Sequence, residues 1–166
     1  TDKDWLFSVV ERADTEALIR DSIVELYDAI GEGKSEYERE LAVHDAVCEM
    51  TEYDQAAAGD PSLSKSAWNV AGVFDDGSAV CEGYAKAMQL LCFSVGINCG
   101  LITGNAESPH MWNYVKIGGS WYQIDVTADD CADTPYMAFF NVTTESISKG
   151  RTIDREARDL TDEQLG

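Results

Sequence analysis

The sequence predicts an α+β fold in which helices come first and an antiparallel sheet follows. Apolar residues recur at helical spacing through the first half of the chain. One such stripe consists of Tyr37, Leu41, His44 and Cys48. Beyond Gly96 the pattern changes to short β-rich runs. Helical segments that precede the strands, rather than alternate with them, favour helices segregated to one face of an antiparallel sheet.

The composition is that of one globular domain. The chain has 166 residues, of which 45% are hydrophobic and 26% charged. We therefore expect a single domain over residues 1–166, with its core at about residues 35–145. The polar tail, residues 148–166, is expected to be a surface helix or partly disordered.

The net charge excludes several kinds of partner. Asp and Glu number 31 against 12 Lys and Arg, a formal charge of −19. Such a surface repels phosphate backbones and anionic lipid, so we expect no nucleic-acid partner. The charge serves solubility or favours cationic or peptidic substrates, and the first reading is preferred. The uncharged stretch 87–106 is broken by Gly, Asn and Gln, so no membrane span is expected.

Three helices are predicted before the sheet. Asp14 can cap a helix over residues 14–30, which Gly31 ends. Ser35 and Glu38 have the spacing of a capping box at the start of a second helix. Residues 55–66 are predicted to be a loop. The third helix is expected to run from near Ser78 to about Val95 and to end at Gly96, and the strands are expected over 99–103, 110–117 and 121–126.

Cys81 lies near the start of the third predicted helix, three residues after the possible cap Ser78. Unsatisfied backbone amides and the helix dipole favour negative charge at that position, and the thiolate is the reactive form of cysteine. Cys81 is therefore a candidate nucleophile. The alternative interpretation is a small buried hydrophobe, which free cysteines often are.

The hairpin at Gly118-Gly119 predicts where two further side chains meet. With a two-residue loop, opposed residues sum to 237, so Trp112 faces Asp125 and His110 is a diagonal neighbour of Asp125 on the same face. A three-residue loop would place them on opposite faces. Alone, His110 could be an ordinary strand histidine and Asp125 a turn or capping acid.

Together, Cys81, His110 and Asp125 are the parts of nucleophilic acyl transfer. His110 would take the thiol proton and return it to the leaving amine. Asp125 would fix the tautomer of the imidazole and stabilise its charged form. An oxyanion hole is also needed, for which the Cys81 backbone amide is a natural donor.

Several motifs of the chain resemble those of bacterial transglutaminase-like domains, in the order and spacing of that family. The resemblance spans roughly Leu41 to Val142. The motifs are Tyr53-Asp54, Val80-Cys81-Glu82-Gly83-Tyr84-Ala85, Gly96-Ile97, His110-Met111-Trp112-Asn113, Trp121-Tyr122 and Asp125-Val126-Thr127.

This resemblance implies a papain-like core, with the nucleophile helix packed on an antiparallel sheet that carries His110 and Asp125. It implies no metal or organic cofactor, and amide bonds of proteins or peptides as substrates. Because hydrolysis needs only water, a peptidase or amidase is favoured over a transglutaminase that cross-links Gln to Lys. The family also implies an extracellular or cell-surface location. The chain shows no signal peptide, and a mature or trimmed domain is expected.

The chain departs from the family pattern at Met111 and Ala128, two positions expected near the cleft. Trp68 lies where relatives often place an aromatic, so it is a candidate second oxyanion donor. A core anchor is an equally good reading of Trp68. A non-catalytic binding module on the same fold remains open, and it would fit a cleft blocked by Met111. A Cys–His–Asp metal site is a third and poorer reading.

Other polar residues receive structural interpretations. His44 lies in an apolar helical stripe and is expected to be a hydrogen-bonded structural histidine. Two acidic clusters lack the spacing of a calcium loop and are expected to be solvated loop acids. They are Asp75 with Asp76, and Asp129 with Asp130 and Asp133. The sequence leaves open the oligomeric state and any disulfides among Cys48, Cys92, Cys99 and Cys131.

Overall fold

The computed structural model describes residues 2–131 and 136–154, with side chains from residue 13 onward. Within this part of the chain, no helix is long and apolar enough to cross a membrane. Helices, a four-stranded antiparallel sheet and a two-stranded parallel pair make up the described fold, so the predicted α+β class is confirmed.

The first two helices form the N-terminal part of the fold. Helix α1 spans Asp2–Ile30 and α2 spans Glu36–Met50. The capping box at Ser35 and Glu38 is confirmed. The predicted start of α1 is wrong, because Asp14 lies inside the helix rather than at its cap.

Short elements connect α2 to the third long helix. Strand β1 (Glu52–Tyr53) pairs in parallel with β2 (Ser78–Ala79). Between them lie helix α3 (Gln55–Gly59), a 3-10 turn (Ser66–Trp68) and a turn of π-helix (Gly72–Asp76). Residues 55–66 are thus not wholly a loop, since Asp54 caps α3 through its carboxylate.

Helix α4 spans Cys81–Ser94 and is followed by Gly96, as predicted. Its predicted cap is wrong. Ser78 belongs to β2, because its backbone is held in an extended pairing with Glu52. The residue at the N-cap is Val80, whose side chain can donate or accept no hydrogen bond. Cys81 is therefore the first helical residue.

The sheet has four antiparallel strands in the order β5-β4-β3-β6. Its strands are β3 (Asn98–Ala106), β4 (Ser108–Ile117), β5 (Ser120–Ile124) and β6 (Thr152–Ile153). The two-residue hairpin is confirmed, since Ile117 pairs with Ser120 and Asn113 with Ile124. Two short helices, α5 (Val126–Asp129) and α6 (Thr144–Ile147), follow β5.

The main core lies between α2, α4 and the sheet. Val43 and Val47 of α2 pack with Tyr84, Met88 and Leu91 of α4 and with strand residues Val115 and Ile124. A smaller cluster of Ile102, Trp112 and Ile147 is separate from this main core. The sheet is thereby fixed against α4, at whose first residue the candidate nucleophile lies.

The tail differs from its prediction. Residues 152–153 add an edge strand to β3, and the Asp154 amide donates to the Thr103 carbonyl at 3.0 Å. Strand pairing therefore replaces the expected surface helix up to residue 154. The rest of the predicted tail, 155–166, lies outside the described residues.

Candidate active site

Cys81 begins α4 and is nearly buried, with 8% of its surface exposed. No side chain caps this helix, so its first amides are not satisfied by one, and they favour a negative charge. Gly83 allows the first turn to approach the preceding segment closely. A Cβ there would lie 2.6 Å from the Ala67 carbonyl oxygen and 2.8 Å from the Ala79 side chain.

His110 and Asp125 meet as the hairpin register predicts. Nε2 of His110 lies 2.7 Å from Oδ2 of Asp125. Strand β5 ends at Ile124, one residue before Asp125, which is the N-cap of α5. Its other oxygen, Oδ1, accepts a hydrogen bond from the Ala128 amide at 3.1 Å. Asp125 is therefore both the capping acid of α5 and the hydrogen-bonding partner of His110.

The Cys81 side chain lies beside the His110 ring and interacts with it. Because Nε2 faces Asp125, Nδ1 is the ring nitrogen left for the thiol. Burial alone would lower the pKa of His110, but the hydrogen bond with Asp125, the interaction with Cys81 and the nearby negative charge outweigh it and raise the pKa to about 9. The imidazolium is thus favoured near neutral pH, beside the thiol.

The side chains of Trp112 and Gln123 stabilise the strand that carries His110. The rings of His110 and Trp112 stack with centroids 5.8 Å apart. The Trp112 indole donates to Gln123 Oε1 at 2.7 Å, and Gln123 Nε2 donates to the Thr144 hydroxyl at 2.8 Å. Each of these buried polar groups therefore has a partner.

Arg151 is a site residue that the sequence interpretation missed. Its guanidinium Nη1 is bonded to Oδ2 of Asp125, and the side chain is buried. Burial raises the pKa of the Asp125 carboxyl, but His110 and Arg151 outweigh it and hold that pKa below its ordinary value. The polar tail also contains Arg155 and Arg158, and no local pattern marks Arg151 as the arginine that makes this contact.

A cleft of about 770 Å³ opens beside the histidine. Its lining residues include His110, Thr127, Ala128, Cys131 and Tyr53. Cys81 is not itself a lining residue and reaches the cleft wall through its contact with His110. The expectation for Ala128 is confirmed. Met111 is not among the described residues that line this cleft.

Trp68 packs beside the nucleophile segment. Its ring contacts a small cluster formed by Ala57, Ala67 and Val80, the residue before Cys81. Its indole N–H is covered and has no hydrogen-bond partner among the described residues. The core-anchor reading is therefore confirmed, while the proposed donor role stays a prediction.

His44 is the structural histidine that was expected, although its partners are charged. Nε2 lies 3.3 Å from Asp129 and Nδ1 lies 3.0 Å from Asp45. Burial lowers the pKa of His44, but these two carboxylates outweigh it and raise that pKa.

Asp75 and Asp76 are exposed, as expected, whereas Asp129 is buried and Asp130 is half-buried, so the expectation of solvated acids is wrong for that second cluster. Asp129 is buried, and it accepts from the Phe139 amide at 2.8 Å. Asp130 accepts from the Tyr84 hydroxyl at 2.6 Å, and Asp75 and Asp76 accept from Thr15 and Ser66. These acids tie elements together, and Asp133 lies outside the described residues. Within the described part of the chain, no group of three or more His, Cys, Asp or Glu could hold a metal ion.

No disulfide joins the five cysteines, all of which lie in the described part of the chain. Cys92 and Cys99 are buried neighbours whose side chains are hydrogen-bonded to each other. Burial, together with nearby Asp130 and Asp45, raises the pKa of Cys48 to about 12. That thiol is therefore poorly suited to act as a nucleophile.

A thiol at a helix start, packed on an antiparallel sheet that presents a histidine and a carboxylate, defines a papain-like class of protein. The sequence model of the Transglutaminase-like superfamily matches residues 25–126. The chain belongs to the Transglutaminase-like superfamily, as its motifs predicted.

Similar proteins include two curated peptidases. The mouse Kyphoscoliosis peptidase is 25% identical over 136 residues, covering 74% of this chain and 20% of that protein. The human Kyphoscoliosis peptidase is 26% identical over 113 residues, covering 60% of this chain and 17% of that protein. The chain thus spans about a fifth of the length of the curated relatives it matches.

Two solved structures share the fold. A TGase has a TM-score of 0.60 and 22% identity, covering 74% of this chain and 34% of that one. A candidate cysteine protease from Cytophaga hutchinsonii has a TM-score of 0.56 and 19% identity, covering 81% and 41%. The papain-like and transglutaminase-like fold prediction is therefore confirmed.

Proposed function

We propose that this domain is a cysteine-nucleophile enzyme that hydrolyses amide bonds of proteins or peptides, with Cys81, His110 and Asp125 as its catalytic triad. The observation that carries the proposal is the unbroken series of contacts from the Cys81 thiol through the His110 ring to the Asp125 carboxylate. Its histidine lines an open cleft.

In the proposed reaction, His110 holds the proton of the Cys81 thiol as an imidazolium, and the Cys81 thiolate attacks the amide carbonyl carbon. A carbon–sulfur bond forms and the carbonyl electron pair moves to oxygen. When the tetrahedral intermediate collapses, the carbon–nitrogen bond breaks and His110 gives its proton to the leaving amine. Water then attacks the thioester, with His110 as general base, and releases the carboxylic acid and the thiol.

The oxyanion of the intermediate needs donors that are already in place. The Cys81 backbone amide is one, because it lies at the uncapped start of α4. We assign the second to the Trp68 indole, whose N–H lacks a hydrogen-bond partner in the described part of the chain. An unpaired buried N–H costs about 1–3 kcal/mol, so a substrate oxygen would relieve that cost. Because the N–H is covered, the neighbouring side chains must shift when substrate enters.

Hydrolysis is favoured over cross-linking for two reasons. Water is the only second substrate that hydrolysis needs, whereas cross-linking needs an amine to reach the thioester first. The similar curated proteins are named as peptidases. Likeness to the TGase structure supports the fold and does not select an acceptor.

The first test is alkylation of each cysteine as a function of pH, read by mass spectrometry in wild type and His110→Ala. We expect selective reaction of Cys81 at roughly pH 5–7 that moves to higher pH in the variant. If Cys81 reacts no faster than the other thiols below about pH 8, the triad assignment is wrong. A binding module would then be the better interpretation.

The second test presents peptide amides with and without a primary amine, and identifies the products by mass. Release of free acid in both conditions supports the peptidase or amidase. Exclusive formation of the amine-linked product would overturn hydrolysis in favour of the cross-linker.

A further inference from the structure

Arg151 reaches the candidate site from a part of the chain that the family match does not include. The match ends at residue 126, and Arg151 immediately precedes the edge strand β6. Its side chain is nevertheless only 6% exposed and bonded to that of Asp125, which is 1% exposed. Charged side chains are rarely buried, because their desolvation is costly. A buried ion pair at a reactive site therefore calls for a functional explanation.

The guanidinium is fixed on several sides. It lies over the Phe139 ring, 4.3 Å from its centroid, and over the Trp112 ring at 5.3 Å. Phe139 also holds the backbone of the carboxylate residue, because its carbonyl accepts from the Asp125 amide at 3.1 Å. Arg151, Phe139 and Asp125 therefore form one packed unit beside the Trp112 ring on which His110 stacks.

The edge strand is brought close to the sheet by a glycine. Residues 152–153 pair with Gly104 and Asn105 of β3. A Cβ at position 104 would lie 2.0 Å from the Thr152 carbonyl oxygen and 2.8 Å from Cη2 of Trp112. Only a residue without Cβ allows both approaches, so Gly104 makes room for the strand that delivers Arg151.

The two cations that face Asp125 differ in how constant their charge is. His110 gains and loses a proton in each turnover of the proposed reaction, so its charge is absent for part of the cycle. An arginine stays protonated under all ordinary conditions. Among the described residues, the other titratable groups that interact with this cluster include Cys81 and Tyr53. Neither can supply a positive charge, so in the described part of the chain Arg151 is the cation that stays beside Asp125 when His110 is neutral.

We propose that Arg151 is a positioning residue, which keeps Asp125 ionised and directed at His110 throughout the cycle, so that residues 151–154 are part of the functional unit. This inference rests on the proposed function. It predicts that Arg151 acts on rate through Asp125 and His110. Because Arg151 also lines the cleft, a change in kcat with little change in KM is what distinguishes this role from direct contact with the substrate.

The test uses Arg151→Met, which removes the charge, and Arg151→Lys, which keeps it without the planar fork. Lys149→Met is the matched control, since Lys149 is an exposed cation two residues away. The pKa of His110 is measured by NMR titration of the imidazole. The chain has only two histidines, and His110→Ala assigns the signals. Steady-state kinetics on a peptide amide provide kcat and KM.

In Arg151→Met, we expect the pKa of His110 to rise above about 9, because a cation is lost from the far side of Asp125. We expect kcat to fall roughly 10-fold to 100-fold with little change in KM, because the carboxylate loses its orientation. Arg151→Lys should keep the pKa of His110 near its wild-type value and recover part of kcat. Lys149→Met should match wild type in both.

The proposal is overturned if Arg151→Met matches Lys149→Met in kcat, or if kcat falls while the pKa of His110 is unchanged. The second outcome would mean that Arg151 supports only the fold. If Arg151→Met does not fold, Arg151→Lys decides, since unchanged kcat in that folded variant would contradict positioning. The NMR titration needs no turnover, so an inactive wild type would overturn the proposed function while the effect of Arg151 on His110 is still measured.

Discussion

The molecule contains two buried His–Asp pairs, and they have different surroundings. His110 and Asp125 lie 2.7 Å apart beside a thiol, a buried arginine and a cleft. His44 and Asp129 lie 3.3 Å apart, and the His44 ring packs at right angles to the ring of Phe140. The side chain of His110 is 15% exposed, whereas that of His44 is fully buried.

The comparison teaches that pairing alone does not make a histidine reactive. Carboxylates raise the pKa of both histidines against the effect of burial. Only His110 has a nucleophile in contact with its ring and lines a cleft that substrate can enter. The contact between His44 and Asp129 instead joins α2 to the segment after β5. Asp129 also accepts a hydrogen bond from the Phe139 amide in that segment.

The largest expected effect is on catalytic activity, and it distinguishes the His110–Asp125 pair from the His44–Asp129 pair. Cys81→Ala and His110→Ala should each lower kcat/KM by at least about 10³-fold, because each removes a group that breaks or makes bonds. Cys81→Ala should leave the fold nearly intact, since alanine is a good helix former. Peptide-amide turnover and circular dichroism measure the two properties. Turnover within tenfold of wild type in either variant would show that the triad is misassigned.

The next effect is on stability. His44→Ala should lower the free energy of unfolding by about 3–5 kcal/mol, because Asp129 would keep a buried charge without its cation. Urea unfolding followed by fluorescence measures this loss. In the folded fraction, kcat/KM should stay within a few-fold of wild type. A drop in activity as large as that of His110→Ala would remove the distinction between the pairs.

A smaller effect depends on pH. The pKa of His110 is about 9 in the folded protein and near 6.5 when unfolded. The folded state therefore binds the proton more tightly. This contribution to stability is complete below about pH 6.5 and is lost as pH rises through about 9. We expect the free energy of unfolding to fall by on the order of 2 kcal/mol over that range, and less in His110→Gln. Equal slopes in both proteins would contradict the raised pKa.

A second pH-dependent effect of similar size concerns Glu40, a buried neighbour of His44. Burial raises the pKa of Glu40 to about 7, against the hydrogen bond from Asn141, which lowers it. The protonated form is favoured by folding, so this stabilisation is present below about pH 4.5 and lost as pH rises through about 7. Glu40→Gln should remove on the order of 2 kcal/mol of that pH dependence, because the pKa shift is as large as that of His110. An unchanged slope between pH 4.5 and 7 in urea unfolding would show that Glu40 titrates normally.

Much of the site could be predicted because its geometry is local. The Gly118-Gly119 turn sets the register, and the register places His110 and Asp125 on one face. The position of Cys81 followed from the helical period, although the cap at Ser78 was wrong. Short-range rules sufficed because each relation lies within one helix or one hairpin.

The remaining features depend on contacts between distant parts of the chain. Arg151 meets Asp125 only because a two-residue strand pairs with β3, and so short a run has no readable period. The burial of Asp129 depends likewise on His44 from α2. The extension of α1 before Asp14 was missed because a residue that often caps helices also fits inside one.

The two oxygens of Asp125 have separate tasks, since Oδ1 caps α5 and Oδ2 faces His110 and Arg151. A single carboxylate therefore has a structural role and a chemical role, and a substitution can separate the two. An asparagine can present one carbonyl oxygen to the Ala128 amide while its amide nitrogen replaces Oδ2. Such a replacement would keep the cap of α5 and remove the carboxylate that pairs with His110. It would also leave the buried Arg151 guanidinium without its counterion, so we expect an inactive domain of lower stability.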